Sequence, residues 1–192
     1  MTASPMKLTG VTTLIVDDDL FGVNILHQML RGFGLEQTRI VKTASAAKAF
    51  LEHHVYDLCI CNSLLPDMDA ADFVKWIRGL KAPGRFVPIL VLTSYSRLHT
   101  VTSMRDAGAH MVIKKPVSPR VLYDRIAWAA RFGRPFVEAR EYKGPDRRFQ
   151  SLQSPDGIGR RDSDPAPETT NDANGAEPQT EALEMPAKAA VG

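Results

Sequence analysis

The chain has 192 residues, of which 44% are apolar, and a formal net charge of +2. That balance exerts no global pull toward nucleic acid or membrane, and no run of about 18 uncharged apolar residues is present to span a bilayer. A lone early lysine, Lys7, followed by a broken apolar segment without a small-residue cleavage site, predicts no signal peptide.

Alternating apolar runs and amphipathic stretches fill the first 133 residues. A strand is expected over 12–16, apolar or β-branched throughout and so buried on both faces. Helix 1 follows over 20–31, with Phe21, Ile25, Leu26, Met29 and Leu30 near helical spacing and Gly32 and Gly34 to stop it. Strand 2 is placed at 39–42, an alanine-rich helix 2 at 45–53 and strand 3 at 58–61. Helix 3 spans 71–80 with Phe73, Val74 and Ile77 as its apolar stripe. Strand 4 covers 89–92. Helix 4 runs over 97–107, capped by Ser96 and ended by Gly108. Strand 5 is 111–113, and helix 5 is 119–132 with Pro119 in its first turn. Strands separated by helices of this length need parallel crossovers, so an α/β, doubly wound five-stranded sheet with helices on both faces is predicted. Cys59 and Cys61 alternate on strand 3, poorly placed to bridge one another, and are expected as reduced thiols in a cytoplasmic protein. The five histidines show no zinc spacing.

The strands end in a consistent chemistry. Leu14-Ile15-Val16 leads into Asp17-Asp18-Asp19, Leu90-Val91-Leu92 into Thr93-Ser94, and Met111-Val112-Ile113 into Lys114-Lys115-Pro116. In an open parallel sheet such ends converge on one ligand crevice. Strand 3 ends in Cys59-Ile60-Cys61-Asn62. This set resembles the receiver domain of two-component response regulators, the CheY-like family, which implies a flavodoxin-like strand order 2-1-3-4-5. The resemblance implies that Asp17 and Asp18 match the carboxylates that hold magnesium, Thr93 the hydroxyl that grips the phosphoryl group, and Lys115 its cationic partner. At the position of the phosphorylated aspartate stands Asn62.

A carboxamide is neutral and a poor nucleophile, so the family's acyl phosphate cannot form on it. Magnesium loses one charge from its hard-oxygen shell, leaving Asp17 and Asp18 as a weak site at best. Asn62 can instead donate to Asp17 or Asp18 and accept from Lys115. The family's aromatic switch position is Val112, and the glycine usual after the following loop aspartate is Ala70. These departures imply a degenerate receiver, non-catalytic, whose face of helix 4, strand 5 and helix 5 still docks a partner. Asp57, Asp67 or Asp69 as substitute acceptors lie at the wrong end of the strand or beyond Pro66, and deamidation of Asn62 before Ser63 is a slow route to aspartate.

Composition divides the chain into a receiver over 7–133, an arginine and aromatic extension over 134–150, and a tail over 151–192. The tail is poor in large apolar residues and is expected to be disordered, unable to offset its chain entropy. The extension contains Phe136-Val137 and Arg140-Glu141-Tyr142-Lys143-Gly144-Pro145-Asp146-Arg147-Arg148. Arginine forks pair with phosphate and guanine edges, and aromatic faces stack on bases. This run resembles the arginine-rich extension of CheY-like cyclic di-GMP effectors, which implies a ligand site at Arg140, Tyr142, Asp146, Arg147 and Arg148 and docking on a flagellar motor. Two other readings stand beside it. The segment folds back, Phe136 and Tyr142 covering helix 5 while the arginines pair with Glu138, Glu141 and Asp146; or Arg147 and Arg148 form a general polyanion contact. DNA binding fits poorly, since the basic stretch is short and followed by acidic sequence.

The function expected is a non-catalytic pseudo-receiver, a two-component or phosphorelay-type signalling adaptor tuned by cyclic di-GMP. Its partners would be a histidine kinase, a phosphotransfer protein or a flagellar motor component. The alternatives are a stand-alone response regulator phosphorylated on an unusual acceptor, and a constitutive protein-binding module. No output domain is expected after Gly133.

Overall fold

The computed structural model describes residues 8–94, 98–131, 135–139 and 142–146. Five strands form one parallel sheet, β1 (Thr12–Val16), β2 (Gln37–Val41), β3 (Leu58–Asn62), β4 (Ile89–Thr93) and β5 (Met111–Lys114), in the order β2-β1-β3-β4-β5. Five α-helices cross over between or after them: α1 (Leu20–Gly32), α2 (Ala44–Leu51), α3 (Ala70–Gly79), α4 (Leu98–Asp106) and α5 (Pro119–Arg131). This is the doubly wound α/β sheet that the alternation predicts. The expected Ser96 cap and the chain after Asp146 lie outside the described residues.

Successive side chains of a strand point to opposite faces, and two cores result. Leu14, Val16, Cys59, Cys61, Ile89 and Val91 face α2, α3 and α4. Ile15, Leu58, Ile60, Leu90, Leu92 and Ile113 face α1 and α5. Both cysteines are free and buried; loss of hydration holds the Cys59 thiol up at about 12 and raises Cys61 well above the ordinary thiol range.

Two expectations need correction. The apolar stripe of α1 is Val23, Leu26 and Leu30, whereas Phe21 is 76% exposed and Ile25 42%. Phe21 and Ile25 are as well spaced for one face as the residues that do bury, so periodicity alone could not choose the stripe. Second, the described residues after α5 lie against α3 rather than over helix 5. Phe136–Ala139 (β6) and Tyr142–Pro145 (β7) pair antiparallel as a hairpin, and β7 lies against α3.

The hairpin seats through close backbone approach. Gly108, at φ +105°, has so little space that a Cβ would fall 2.8 Å from the Lys143 carbonyl oxygen, and a Cβ on Gly144 would fall 2.8 Å from the Gly108 Cα. Under this contact lies Arg78, 1% exposed. Its Nε donates to the Gly108 carbonyl at 3.0 Å, and its Nη1 to the carbonyls of Arg85 at 2.6 Å and Val87 at 2.9 Å. Phe136 stands beneath both the Arg78 and Arg85 guanidinium groups, 5.8 and 5.2 Å from its ring centre, and meets Phe86 edge-on at 4.8 Å. Arg85 and Lys143 both reach Glu138, at 3.0 and 3.3 Å.

Candidate functional site

Four strand ends build the crevice. β1 delivers Asp17, β3 Asn62, β4 Thr93, and Lys115 follows β5 directly. Parallel pairing puts these ends at one edge of the sheet: Asn62 pairs with Leu92, and Thr93 with Lys114. The backbone N–H of Lys115 donates to the Thr93 carbonyl at 2.7 Å, which fixes where the lysine leaves the sheet.

Asp17 is the centre, only 4% exposed. Its Oδ2 accepts from Lys115 Nζ at 2.8 Å, and its Oδ1 from Asn62 Nδ2 at 3.1 Å and the Asp19 backbone N–H at 3.1 Å. Lys115 Nζ also donates to Asn62 Oδ1 at 3.3 Å. The carboxamide thus donates to the buried carboxylate through one atom and accepts from the ammonium through the other. Every strong polar group in the triangle has a partner, as buried groups require. Of the two partners the sequence allowed Asn62, the structure joins it to Asp17; Asp18 is exposed. Asp19 caps α1 by accepting from the Phe21 N–H. Thr93, the last residue of β4, is 1% exposed. Val112 is half-buried against the core shared with α3 and α4.

The three aspartates that could substitute as acceptors hold structure. Asp57 accepts from the Thr12 N–H at 2.8 Å and hydroxyl at 2.7 Å, at the far end of β1. Asp67 accepts from the N–H groups of Ala44 and Ser45, both at 2.8 Å, and the Ser45 hydroxyl at 2.6 Å. The Ser45 hydrogen bonds lower its carboxyl to about 2. Asp69 caps α3 through the Ala71 N–H at 2.7 Å. Deamidation of Asn62 needs the Ser63 nitrogen to attack its side-chain carbon. That nitrogen is committed to the Leu92 carbonyl at 2.8 Å, in a residue only 4% exposed.

Of the predicted tail residues, Tyr142 and Asp146 are described; Arg140, Arg147 and Arg148 lie outside the described residues. The Tyr142 hydroxyl donates to the Pro145 carbonyl at 2.6 Å and the Asp146 N–H to the Pro135 carbonyl at 2.8 Å, both closing the hairpin. Arg78 and Gly108, which seat that hairpin, were missed by sequence reasoning. An arginine at the end of an amphipathic helix and a glycine before a strand carry no signal that they meet.

The sheet order and the polar strand ends define a receiver-type domain. Residues 13–127 match the response regulator receiver domain, and the chain belongs to that family. Transcriptional regulatory protein ZraR of Escherichia coli (strain K12) is 31% identical over 115 residues, covering 58% of this chain and 24% of ZraR. Response regulator protein PilR of Pseudomonas aeruginosa is 31% identical over 125 residues, covering 65% of this chain and 27% of PilR. The chain thus spans about a quarter of the length of these two relatives. Among solved structures, the CheY-like receiver domain protein from Methanospirillum hungatei JF-1 aligns with TM-score 0.56 and 29% identity, over 61% of this chain and 90% of that one. The receiver domain of sensor histidine kinase PA1611 from Pseudomonas aeruginosa PAO1, with magnesium coordinated in its active-site cleft, aligns with TM-score 0.56 and 27% identity, over 62% and 96%. No described helix is long and apolar enough to cross a membrane.

Proposed function

We propose that this receiver is a non-catalytic signalling adaptor, acting in the cytoplasm, whose crevice is held in one state by its own side chains. The observation that carries the reading is the Asn62 carboxamide, bonded to Asp17 on one side and Lys115 on the other. A nucleophile is missing where the family places one, and the phosphate-binding cation is already neutralised by Asp17. The donor set does not fit a resident magnesium ion. Both Asp17 oxygens and the Asn62 oxygen already accept hydrogen bonds, and the described residues hold no cluster of three or more His, Cys, Asp or Glu side chains suited to a metal. Magnesium therefore enters weakly at best, through Asp17 and Asp18, against the charge of Lys115.

Signalling then runs through docking, to a kinase, phosphotransfer protein or motor component, on the face of α4, β5 and α5. Cyclic di-GMP on Arg140, Tyr142, Asp146, Arg147 and Arg148 is the ligand this reading assigns to the extension. Tyr142 brings an aromatic face to it, its hydroxyl being committed within the hairpin. The deciding experiment is incubation with acetyl phosphate and magnesium, followed by mass spectrometry. The wild type should stay unmodified. Acid-labile phosphate on any aspartate would overturn the proposal and favour a regulator with an unusual acceptor.

A further inference from the structure

We propose that the concavity between α3, the end of α4 and β7 binds the phosphate of a small phosphorylated molecule, with Lys75, Arg78 and Lys143 supplying the positive charge. The cavity measures about 250 Å³ and is lined by Lys75, Arg78, Gly79, Asp106, Tyr142 and Lys143. It shares no residue with the Asn62 crevice. Its neighbours Val87 and Gly108 precede β4 and β5, so it sits at the other end of the sheet.

The first argument is charge. Arg78 is buried, yet its acceptors are the carbonyls of Gly108, Arg85 and Val87 and the Nδ1 of His110 at 3.2 Å, none of them a carboxylate. His110 cannot offset it by charge. Its Nδ1 also faces the Ile89 backbone N–H at 3.2 Å, and a nitrogen that meets two donors must be an unprotonated acceptor. These bonds use four of the five guanidinium hydrogens, and among the described residues the fifth, on Nη2, meets no acceptor. The neighbouring Arg85 adds a second cation, and the Glu138 that answers it also answers Lys143. The cavity lining itself carries Lys75, Arg78 and Lys143 against Asp106, with Asp72, Glu138 and Arg105 adjoining as the ion-pair partners of Lys75, Lys143 and Asp106. A buried charge balanced by dipoles alone leaves a positive field in the nearest opening, and a concave low-dielectric wall focuses it.

The second argument is access. Lys75 is 64% exposed and held by Asp72 at 3.6 Å; Lys143 is 48% exposed and held by Glu138 at 3.3 Å. Such exposed pairs are weak, and a doubly charged phosphate competes well for flexible ammonium groups. Asp106 also faces the cavity and is turned to Arg105 at 3.1 Å. The volume suits a small organic phosphate rather than a folded partner, and Tyr142 offers a wall for its body. Lys75 and Arg78 belong to α3, Tyr142 and Lys143 to β7, so the ligand would tie the hairpin to the receiver.

The test is titration of the full chain at low salt with inorganic phosphate, with adenosine 5′-monophosphate and with cyclic di-GMP, followed by NMR. The expected result is saturable shifts at Lys75, Gly79, Tyr142 and Lys143, tighter for the nucleotide than for the ion. A Lys75→Ala/Lys143→Ala double variant should bind about tenfold more weakly or worse, with an unchanged circular dichroism spectrum because both side chains are exposed. No saturable shift, shifts at Asp17 and Lys115 instead, or equal affinity in the double variant would overturn the site. Binding of inorganic phosphate with the nucleotide excluded would also overturn it. Tight cyclic di-GMP binding that the double variant retains would place that ligand on Arg140, Arg147 and Arg148, ending this proposal while leaving the extension's own reading intact.

Discussion

The two ends of the sheet solve the same electrostatic problem in opposite ways. At the C-terminal end a buried carboxylate, Asp17, meets a cation and a carboxamide, and the charges cancel inside a closed triangle. At the N-terminal end a buried cation, Arg78, meets carbonyls, an imidazole and the Phe136 ring but no carboxylate among the described residues, and the hairpin is laid over it. Burial above all, with the neighbouring Arg85 charge adding to it, brings the Arg78 guanidinium down to about 10, which still leaves it charged at neutral pH. A neutralised site has little left to attract an ion, whereas a cation solvated by dipoles keeps its field. On the reading proposed above, the family's chemistry is silenced at one end while an unbalanced charge is kept at the other.

The largest effect should come from removing that charge. Arg78→Met leaves the Gly108, Arg85 and Val87 carbonyls without their donor beneath the hairpin. A loss of about 3–5 kcal/mol in urea unfolding is expected, because orphaned buried acceptors retain their full desolvation cost. A change below about 1 kcal/mol would mean that water replaces the guanidinium and that the two ends are not so different. Next comes the hairpin seat itself. In Gly144→Ala the new methyl would lie 2.6 Å from the Tyr142 hydroxyl and 2.8 Å from the Gly108 Cα. Overpacking of this kind costs about 1–3 kcal/mol. Hydrogen exchange should quicken across Tyr142–Pro145 while β1, β3 and β4 stay protected; uniform protection would show that the hairpin bears no such contact.

The acceptor end was legible because each of its residues follows a strand, and a parallel sheet brings strand ends together whatever the helices do. Asp17, Asn62, Thr93 and Lys115 could be placed from the chain alone. Two things were not readable there. One was which carboxylate Asn62 would meet, since Asp17 and Asp18 differ by a step that sends one into the crevice and the other to solvent. The other was the exposed side of α1, where Phe21 and Ile25 repeat the spacing of the buried stripe. The hairpin end was hidden for a different reason. Arg78, Gly108 and Gly144 are 30 or more residues apart and come from a helix, a loop and a terminal strand. Only packing brings them together; no local pattern of hydrophobicity does. The aromatic residues Phe136 and Tyr142 did signal that the extension was more than a solvated linker, but helix 5 was the wrong partner for them.

A smaller effect on stability, but a qualitative one on chemistry, is expected from Asn62→Asp. The new carboxylate would compete with Asp17 for Lys115 and add the third hard oxygen donor that magnesium lacks here. Magnesium should then bind measurably by calorimetry, and acetyl phosphate should label residue 62. A variant that binds no magnesium would show that the Asp17–Lys115 pair, rather than the carboxamide, closes the crevice.

The smallest effect separates the ends by pH. Arg85 first, and then Lys143, hold the Glu138 carboxyl below its ordinary value of 4.5 by donating hydrogen bonds to it. A depressed carboxyl contributes stability that is present above its unfolded value and is lost as pH falls through its folded value. The hairpin should therefore loosen only below pH 4.5, while neutral and mildly alkaline solutions leave it unchanged. Because Glu138 is exposed and water screens its two partners, the change is expected as lower protection of the β6 and β7 amides, measured against their intrinsic exchange rate at each pH, rather than as unfolding. Glu138→Gln removes the titrating group, so its hairpin protection at neutral pH, relative to the intrinsic exchange rate, should already match that of the acidified wild type and should not fall further with acid through this group. If wild type and variant show the same acid dependence, the loosening arises elsewhere, and the Arg85–Glu138–Lys143 contacts are surface decoration on a hairpin that Arg78, Gly108 and Phe136 hold without them.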